Sequence, residues 1–197
     1  MHIMIASVLL ISTKAIAEEK WYATTFGGIN YVNQPYKGLK LAPGYITGVT
    51  VGRQLGPYLR CEGELSYREN QNEHTLNDVT FMKLKTPSIN WFAKQQQTQA
   101  MLNGIVDFAP KSFLSPYVGG GIGRAHTMKG MRMSFSEIKR SGKNSEQFFD
   151  NSAQEIIGLR LNHPRGTAEI AAEYRHTHLL RLNNSSDSLI AKLKIKF

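Results

Sequence analysis

The sequence predicts an all-β fold, an eight-stranded antiparallel up-and-down transmembrane barrel, and three observations carry that prediction. First, the chain closes on a strictly alternating run. Leu189, Ala191, Leu193, Ile195 and Phe197 share one face, and Lys192, Lys194 and Lys196 share the other. A period of two marks a strand, not a helix. Second, segments of that period recur along the chain, each near the roughly 9–11 residues that a tilted membrane strand needs. Third, the connections alternate between short and long, as in membrane barrels with tight turns at one end and long loops at the other.

The chain opens before the barrel does. His2 to Ser12 is a short, mostly apolar run, and Ala15-Ile16-Ala17 follows it as an A-x-A cleavage site. The run is too short to span a bilayer. We expect a secretory signal peptide over residues 1–17 and a barrel domain over residues 18–197.

Strand one is expected from Trp21 to Val32; its alternation is mixed, and neither face is assigned to the lumen. Asn33 to Gly44 is a long polar connection. Strand two, Tyr45 to Leu55, and strand three, Tyr58 to Arg68, are separated only by Gly56-Pro57, a tight-turn pair. Strand three sorts cleanly. Leu59, Cys61, Gly63, Leu65 and Tyr67 lie on one face, and Arg60, Glu62, Glu64, Ser66 and Arg68 on the other.

Glu69 to Gln97 reads as the second long connection. Strands four and five, Thr98 to Phe108 and Tyr117 to Ala125, flank a short turn around Ala109-Pro110. Strand five contains Gly119-Gly120-Gly121-Ile122-Gly123. A phosphate-binding glycine loop requires a helix after it, and none follows. The glycines read instead as positions that admit neighbouring side chains in a tight lumen.

His126 to Ser152 is the third long connection. Strand six, Ala153 to Asn162, turns at His163-Pro164-Arg165-Gly166 into strand seven, Thr167 to Thr177. There Ala168, Ile170, Ala172, Tyr174 and His176 oppose Glu169, Ala171, Glu173 and Arg175. His178 to Asp187 is the fourth long connection, and strand eight runs from Ser188 to Phe197.

An Arg or Lys on the lipid face near the bilayer midplane costs roughly 2–4 kcal/mol, so the charged faces are assigned to the lumen. That lumen holds Arg60, Glu62, Glu64, Arg68, Asp107, Glu169, Glu173, Arg175, Lys192 and Lys194. Buried charges persist when paired and hydrogen-bonded. We read these residues as a plug of ion pairs. A proton or ion path, or a catalytic carboxylate pair, is the alternative. A wide diffusion pore is excluded, because open channels need about 16 strands.

Composition narrows the partners. The net charge is +9, and it becomes +8 once residues 1–17, with Lys14 their one charged side chain, are removed. Such a surface suits anionic partners, lipopolysaccharide and polyanionic glycans among them. Export argues against nucleic acid. The lone Cys61 can form no internal disulfide, and there is no paired-cysteine metal motif, so no cofactor is expected. The mean hydropathy of −0.32 does not oppose a barrel, whose lumen and lipid residues average out.

Gln99-Ala100-Met101-Leu102-Asn103-Gly104-Ile105-Val106-Asp107-Phe108, a turn, and Ser115-Pro116-Tyr117-Val118-Gly119-Gly120-Gly121-Ile122-Gly123 together resemble the central hairpin of opacity-type outer-membrane proteins. These share the architecture of the OmpA-like eight-stranded barrels. Glu173-Tyr174-Arg175 and the terminal Phe197 fit the same family. The resemblance implies residence in the bacterial outer membrane, contact with its lipid and lipopolysaccharide, and recognition of Phe197 by the barrel-assembly machinery. It also implies a surface antigen, adhesin or envelope-integrity role rather than an enzyme.

Candidate binding residues follow from the third long connection, where Lys129, Arg132, Lys139, Arg140 and Lys143 lie among Met128, Met131, Phe135, Phe148 and Phe149. Basic residues with aromatic neighbours suit a sulfated glycan, lipopolysaccharide or a host surface. Two alternatives are an enzyme acting on lipid A or phospholipid, with His176, His178 and the nearby Ser185, Ser186 and Ser188 at the rim, and a narrow channel. His176 and His178, at i and i+2 on a strand, also share a face on which a metal could bind, but with no third ligand in view they read as rim histidines and no metal site is expected.

Overall fold

The computed structural model describes residues 21–33, 41–81, 84–135, 141–162, 168–181 and 184–196. The strands are β1 Trp21–Asn33, β2 Gly44–Gln54, β3 Leu59–Phe81, β4 Leu84–Asp107, β5 Leu114–Phe135, β6 Ser141–Leu161, β7 Ala168–Leu179 and β8 Asn184–Lys196. Each pairs antiparallel with the next, and β8 returns to β1, closing the barrel. The closing ladder runs from Tyr22 opposite Lys196 to Asn33 opposite Ser185. Closure leaves no free sheet edge inside the membrane, where an unpaired backbone group would find no water.

The alternation read from the sequence sets the two faces. Leu65, Leu102, Ile122, Ile157, Leu189 and Leu193 point outward and are exposed, forming an apolar band. Exposed aromatics border it at both ends. Trp21, Tyr58, Phe108 and Phe113 lie toward the tight turns, and Tyr31, Tyr45 and Tyr174 toward the other end, with Tyr67 beside Tyr45. Such a band between aromatic girdles is the lipid-facing surface of a membrane barrel. In β1 the buried Tyr22, Thr24, Phe26 and Asn30 face the lumen, which settles the parity that the sequence leaves open.

The turns at the lower end hold themselves with local bonds. Leu55 N donates to Leu59 O at 2.9 Å, and Gln54 Nε2 donates to Gly56 O at 2.7 Å. Asn162 Nδ2 reaches Ser112 O at 2.7 Å, tying two adjacent turns together. The expected His163–Gly166 turn and the expected signal peptide lie outside the described residues.

At the upper end the structure corrects the sequence reading. The stretches expected as long loops, Glu69 to Gln97 and His126 to Ser152, are mostly strand. The β3–β4 ladder continues to Phe81 opposite Leu84, and the β5–β6 ladder to Ser134 opposite Ser141. The fourth connection shortens to residues 180–183. Beyond the membrane both faces of a strand meet water, so no apolar alternation is selected. Backbone pairing continues without the pattern that reveals it in sequence. β2 stops pairing with β3 at Glu69, and β7 stops pairing with β6 at Ser152. The upper parts of β3, β4, β5 and β6 therefore stand as a four-stranded sheet above the barrel. Its tallest hairpin extends about 40 Å along the strand from Glu69 to Phe81.

Candidate functional site

Two regions carry chemistry: the lumen and the upper rim with its projecting sheet. The lumen is built by period-two alternation from all eight strands, and five of them, β3, β4, β6, β7 and β8, supply its ion pairs. Arg60 Nη1 meets Glu62 Oε1 at 2.6 Å and Arg60 Nε meets Asp107 Oδ2 at 3.2 Å. Arg160 joins Asp107 at 3.3 Å to Glu169 at 3.7 Å. Lys194 lies 3.2 Å from Glu169, which Lys196 also contacts. Arg175 bridges Glu64 at 2.6 Å and Glu173 at 2.8 Å. Lys192, on the last strand, bridges Glu62 at 3.2 Å and Glu173 at 2.8 Å.

Two tyrosines complete the network, each in the same local arrangement. Tyr22 of β1 donates to Glu62 of β3 at 2.8 Å, and Tyr117 of β5 donates to Glu173 of β7 at 2.7 Å. Each hydrogen bond skips a strand. The intervening residue is Gly52 of β2 opposite Tyr22, and Gly158 of β6 opposite Tyr117. A Cβ at either glycine would collide with the tyrosine ring. The glycines thus provide the floor over which the rings lie. The Arg60 guanidinium stacks 4.6 Å from the centre of the Tyr117 ring, and Arg175 sits 4.6 Å from that of Phe26.

All ten lumen residues expected from the sequence are buried there. Arg68 differs from the rest in its partners: it donates to Ser186 Oγ at 2.8 Å and Thr177 Oγ1 at 3.1 Å, hydroxyls rather than carboxylates. The sequence list missed Arg160, Tyr22 and Tyr117. Arg160 was findable, since Ile157, Leu159 and Leu161 alternate with it. Between Thr24, Arg60, Tyr117, Arg160, Glu169, Lys192 and Lys194 the free space is about 10 Å³, room for about one water. A hydrated ion passes only if the pairs separate. Toward the upper end uncharged side chains line most of the lumen, the buried Gln95, Gln97, Thr127, Ser152, Thr177 and Ser186, with Arg68 among them.

On the outer surface, just above the tyrosine girdle, side chains of β1, β7 and β8 converge on Asp187. It accepts from Tyr174 Oη at 2.6 Å, from Asn33 Nδ2 at 2.7 Å and from His176 Nδ1 at 2.6 Å. Partial burial opposes its charge, but these bonds outweigh that and hold the carboxyl below its usual range. His176 Nε2 lies 2.8 Å from His178 Nε2, with the rings edge to face.

Two of the three nearby serines turn away from these histidines. Ser186 and Ser188 face the lumen, where Ser186 accepts from Arg68 and Ser188 donates to Asn30. Ser185 stays on the outer face, opposite His178 in register, and accepts from Asn33 at 3.4 Å. A one-residue step along a strand reverses the face, which separates Ser186 and Ser188 from the histidines.

The base of the projecting sheet is also tied. Lys94 pairs with Glu69 at 2.8 Å, and Gln96 Nε2 donates to Tyr67 Oη at 2.6 Å and to Glu69 at 3.0 Å. These bonds hold the Glu69 carboxyl down at about 2. Higher up, Lys129 is half-buried 5.9 Å from the Phe148 ring centre, and His126 stacks on the exposed Phe149 at 4.5 Å. Along the β5–β6 ladder Arg132 is in register with Lys143, and Lys129 with Glu146. Lys139, Arg140 and Phe197 lie outside the described residues.

A family profile described as the outer membrane protein beta-barrel domain matches residues 3–196. No curated protein sequence matches the chain. Among solved structures, Neisserial surface protein A is similar at 15% identity and a TM-score of 0.52, over 90% of this chain and 97% of that one. Ail, the attachment invasion locus protein of Yersinia pestis, solved with the heparin analogue sucrose octasulfate, is similar at 16% identity and a TM-score of 0.51. That likeness covers 92% of this chain and 100% of Ail. At these identities the likeness is one of fold.

Proposed function

We propose, on the premise that the chain belongs to the outer membrane protein beta-barrel domain family, that it is a surface-binding barrel whose projecting sheet engages anionic glycan on a host or neighbouring surface. The observation that supports this reading best is the four-stranded sheet standing above the girdle, far taller than membrane insertion requires. A rigid barrel presenting elements above the membrane is a platform for binding. The net charge of +9 favours anionic partners. Ail, of similar fold, is an attachment protein solved with a sulfated heparin analogue. On this reading the chain is exported by a signal peptide over residues 1–17, inserted with the help of a terminal signal at Phe197, and surrounded by lipopolysaccharide. The close-packed lumen favours binding over conduction, and the inward-facing Ser186 and Ser188 favour binding over catalysis at the rim.

The test is display of the barrel on a non-adherent bacterial host, with binding counted on immobilised heparin and cultured cells. A matched variant has residues 72–93 and 129–146 each replaced by a two-residue turn. Binding by the full barrel that disappears in the trimmed one supports the adhesin. No binding by a folded, surface-exposed full barrel sinks it for those ligands and leaves a structural envelope barrel.

A further inference from the structure

The pair His176 and His178 is not used by the lumen or by the projecting sheet. Three of its features point to one kind of ligand. The two residues are i and i+2 on β7, so their side chains stand on the same outward face. Their Nε2 atoms approach to 2.8 Å. His176 is then held from behind, because its Nδ1 faces a carboxylate that has no proton to give. His176 therefore carries its proton on Nδ1, and its Nε2 presents a lone pair. Asp187 in turn is fixed by Tyr174 and Asn33 from two other positions on the sheet. A carboxylate orienting an imidazole through the far nitrogen is the usual outer support of a histidine metal ligand.

We propose that His176 and His178 form an outward-facing site for a divalent late transition-metal ion of the copper(II) class, with Asp187 as its positioning residue. The donor set selects the class: imidazole nitrogens suit late first-row metals, and copper(II) heads their divalent affinity order. With the His176 Nε2 lone pair as acceptor, the 2.8 Å contact is a hydrogen bond donated by His178 Nε2–H. A metal ion takes the place of that proton, with the His178 proton moved to Nδ1. Among the described residues no group of three or more His, Cys, Asp or Glu is placed to bind a metal. Water fills the remaining positions. His178 is exposed and His176 partly so, which leaves the site open to the medium above the girdle.

The experiment uses the full barrel refolded in detergent, titrated with copper(II) chloride in a weakly coordinating buffer and followed by calorimetry and electron paramagnetic resonance. One copper per chain is expected, with hyperfine coupling to two imidazole nitrogens. H176A and H178A lose that signal and bind at least about tenfold more weakly. D187N, which keeps both rings, weakens binding about 10–100-fold. Zinc chloride binds more weakly than copper. A folded H178A variant, checked by heat-modifiable gel mobility, that binds copper as tightly as the parent overturns the site. So does a parent barrel that takes up no stoichiometric copper below about 1 mM, a concentration that corresponds to only about 4 kcal/mol. Tighter binding of zinc than of copper overturns the copper(II) assignment.

Discussion

Tyr117 donates to Glu173 at 2.7 Å across the lumen, passing over the bare backbone of Gly158 on the strand between them. Gly158 is therefore a packing position, although it has no side chain to pack. Gly158→Ala places a methyl group against the ring and forces Tyr117 to move off its acceptor. We expect about 1–3 kcal/mol of destabilisation from overpacking. Urea titration in lipid vesicles, read by heat-modifiable mobility, measures it. Gly63→Ala, where a Cβ meets only ordinary contact, serves as the control and shifts the midpoint little.

Lys192→Met removes the ammonium that Glu62 and Glu173 share. Glu62 keeps Arg60 and Glu173 keeps Arg175, so the cost falls below the ~3–5 kcal/mol of a buried charge left with no partner. The double variant K192M/E173Q removes one of the two under-compensated charges, so it recovers part of that loss. Equilibrium unfolding of the three proteins in the same lipid tests the order. A single variant as stable as the parent refutes the role given to Lys192.

Glu69 offers a pH test outside the membrane. Its folded carboxyl is depressed from 4.5 to about 2 by Lys94, Tyr67 and Gln96. A depressed carboxyl contributes stability that is fully present above its unfolded value and is lost as pH falls through the folded one. The base of the β3–β4 hairpin should therefore loosen between about pH 4.5 and 2. Amide hydrogen exchange near Glu69 and Gln96 reads this directly, and E69Q should remove the dependence from that segment.

The lipid face makes a depth prediction. Leu102→Arg sits in the middle of the apolar band and should cost about 2–4 kcal/mol. Asn151→Arg, above the girdle and exposed, should cost about 0–1 kcal/mol. Equal costs at the two positions would contradict the placement of the membrane.

The sequence was legible wherever lipid imposed a pattern. Leu65 and Leu189 had to face out and Glu64 and Lys192 in, so eight strands and ten lumen residues followed from alternation alone. Above the girdle that constraint ends. The upper halves of β3 to β6 kept their backbone pairing but lost their apolar stripe, so they read as loops. Arg160 needed only the same alternation applied once more. Tyr22 and Tyr117 were harder, because their role depends on glycines that are adjacent in the sheet and remote in the chain. The convergence of His176 on Asp187 depends on the β7–β8 register, which no local spacing contains.

Lys192 also says something about how this barrel knows it is finished. Its two carboxylates come from β3 and β7, and its own strand is the one that seals the ring against β1. No single hairpin is electrically balanced at this point; only the complete cylinder is. Sliding β8 by one residue would bring Ala191 or Leu193 inward and leave Glu62 and Glu173 facing hydrocarbon. The last strand thus works as a checksum, because a misthreaded ring is penalised in its charges before any loop or ligand is involved.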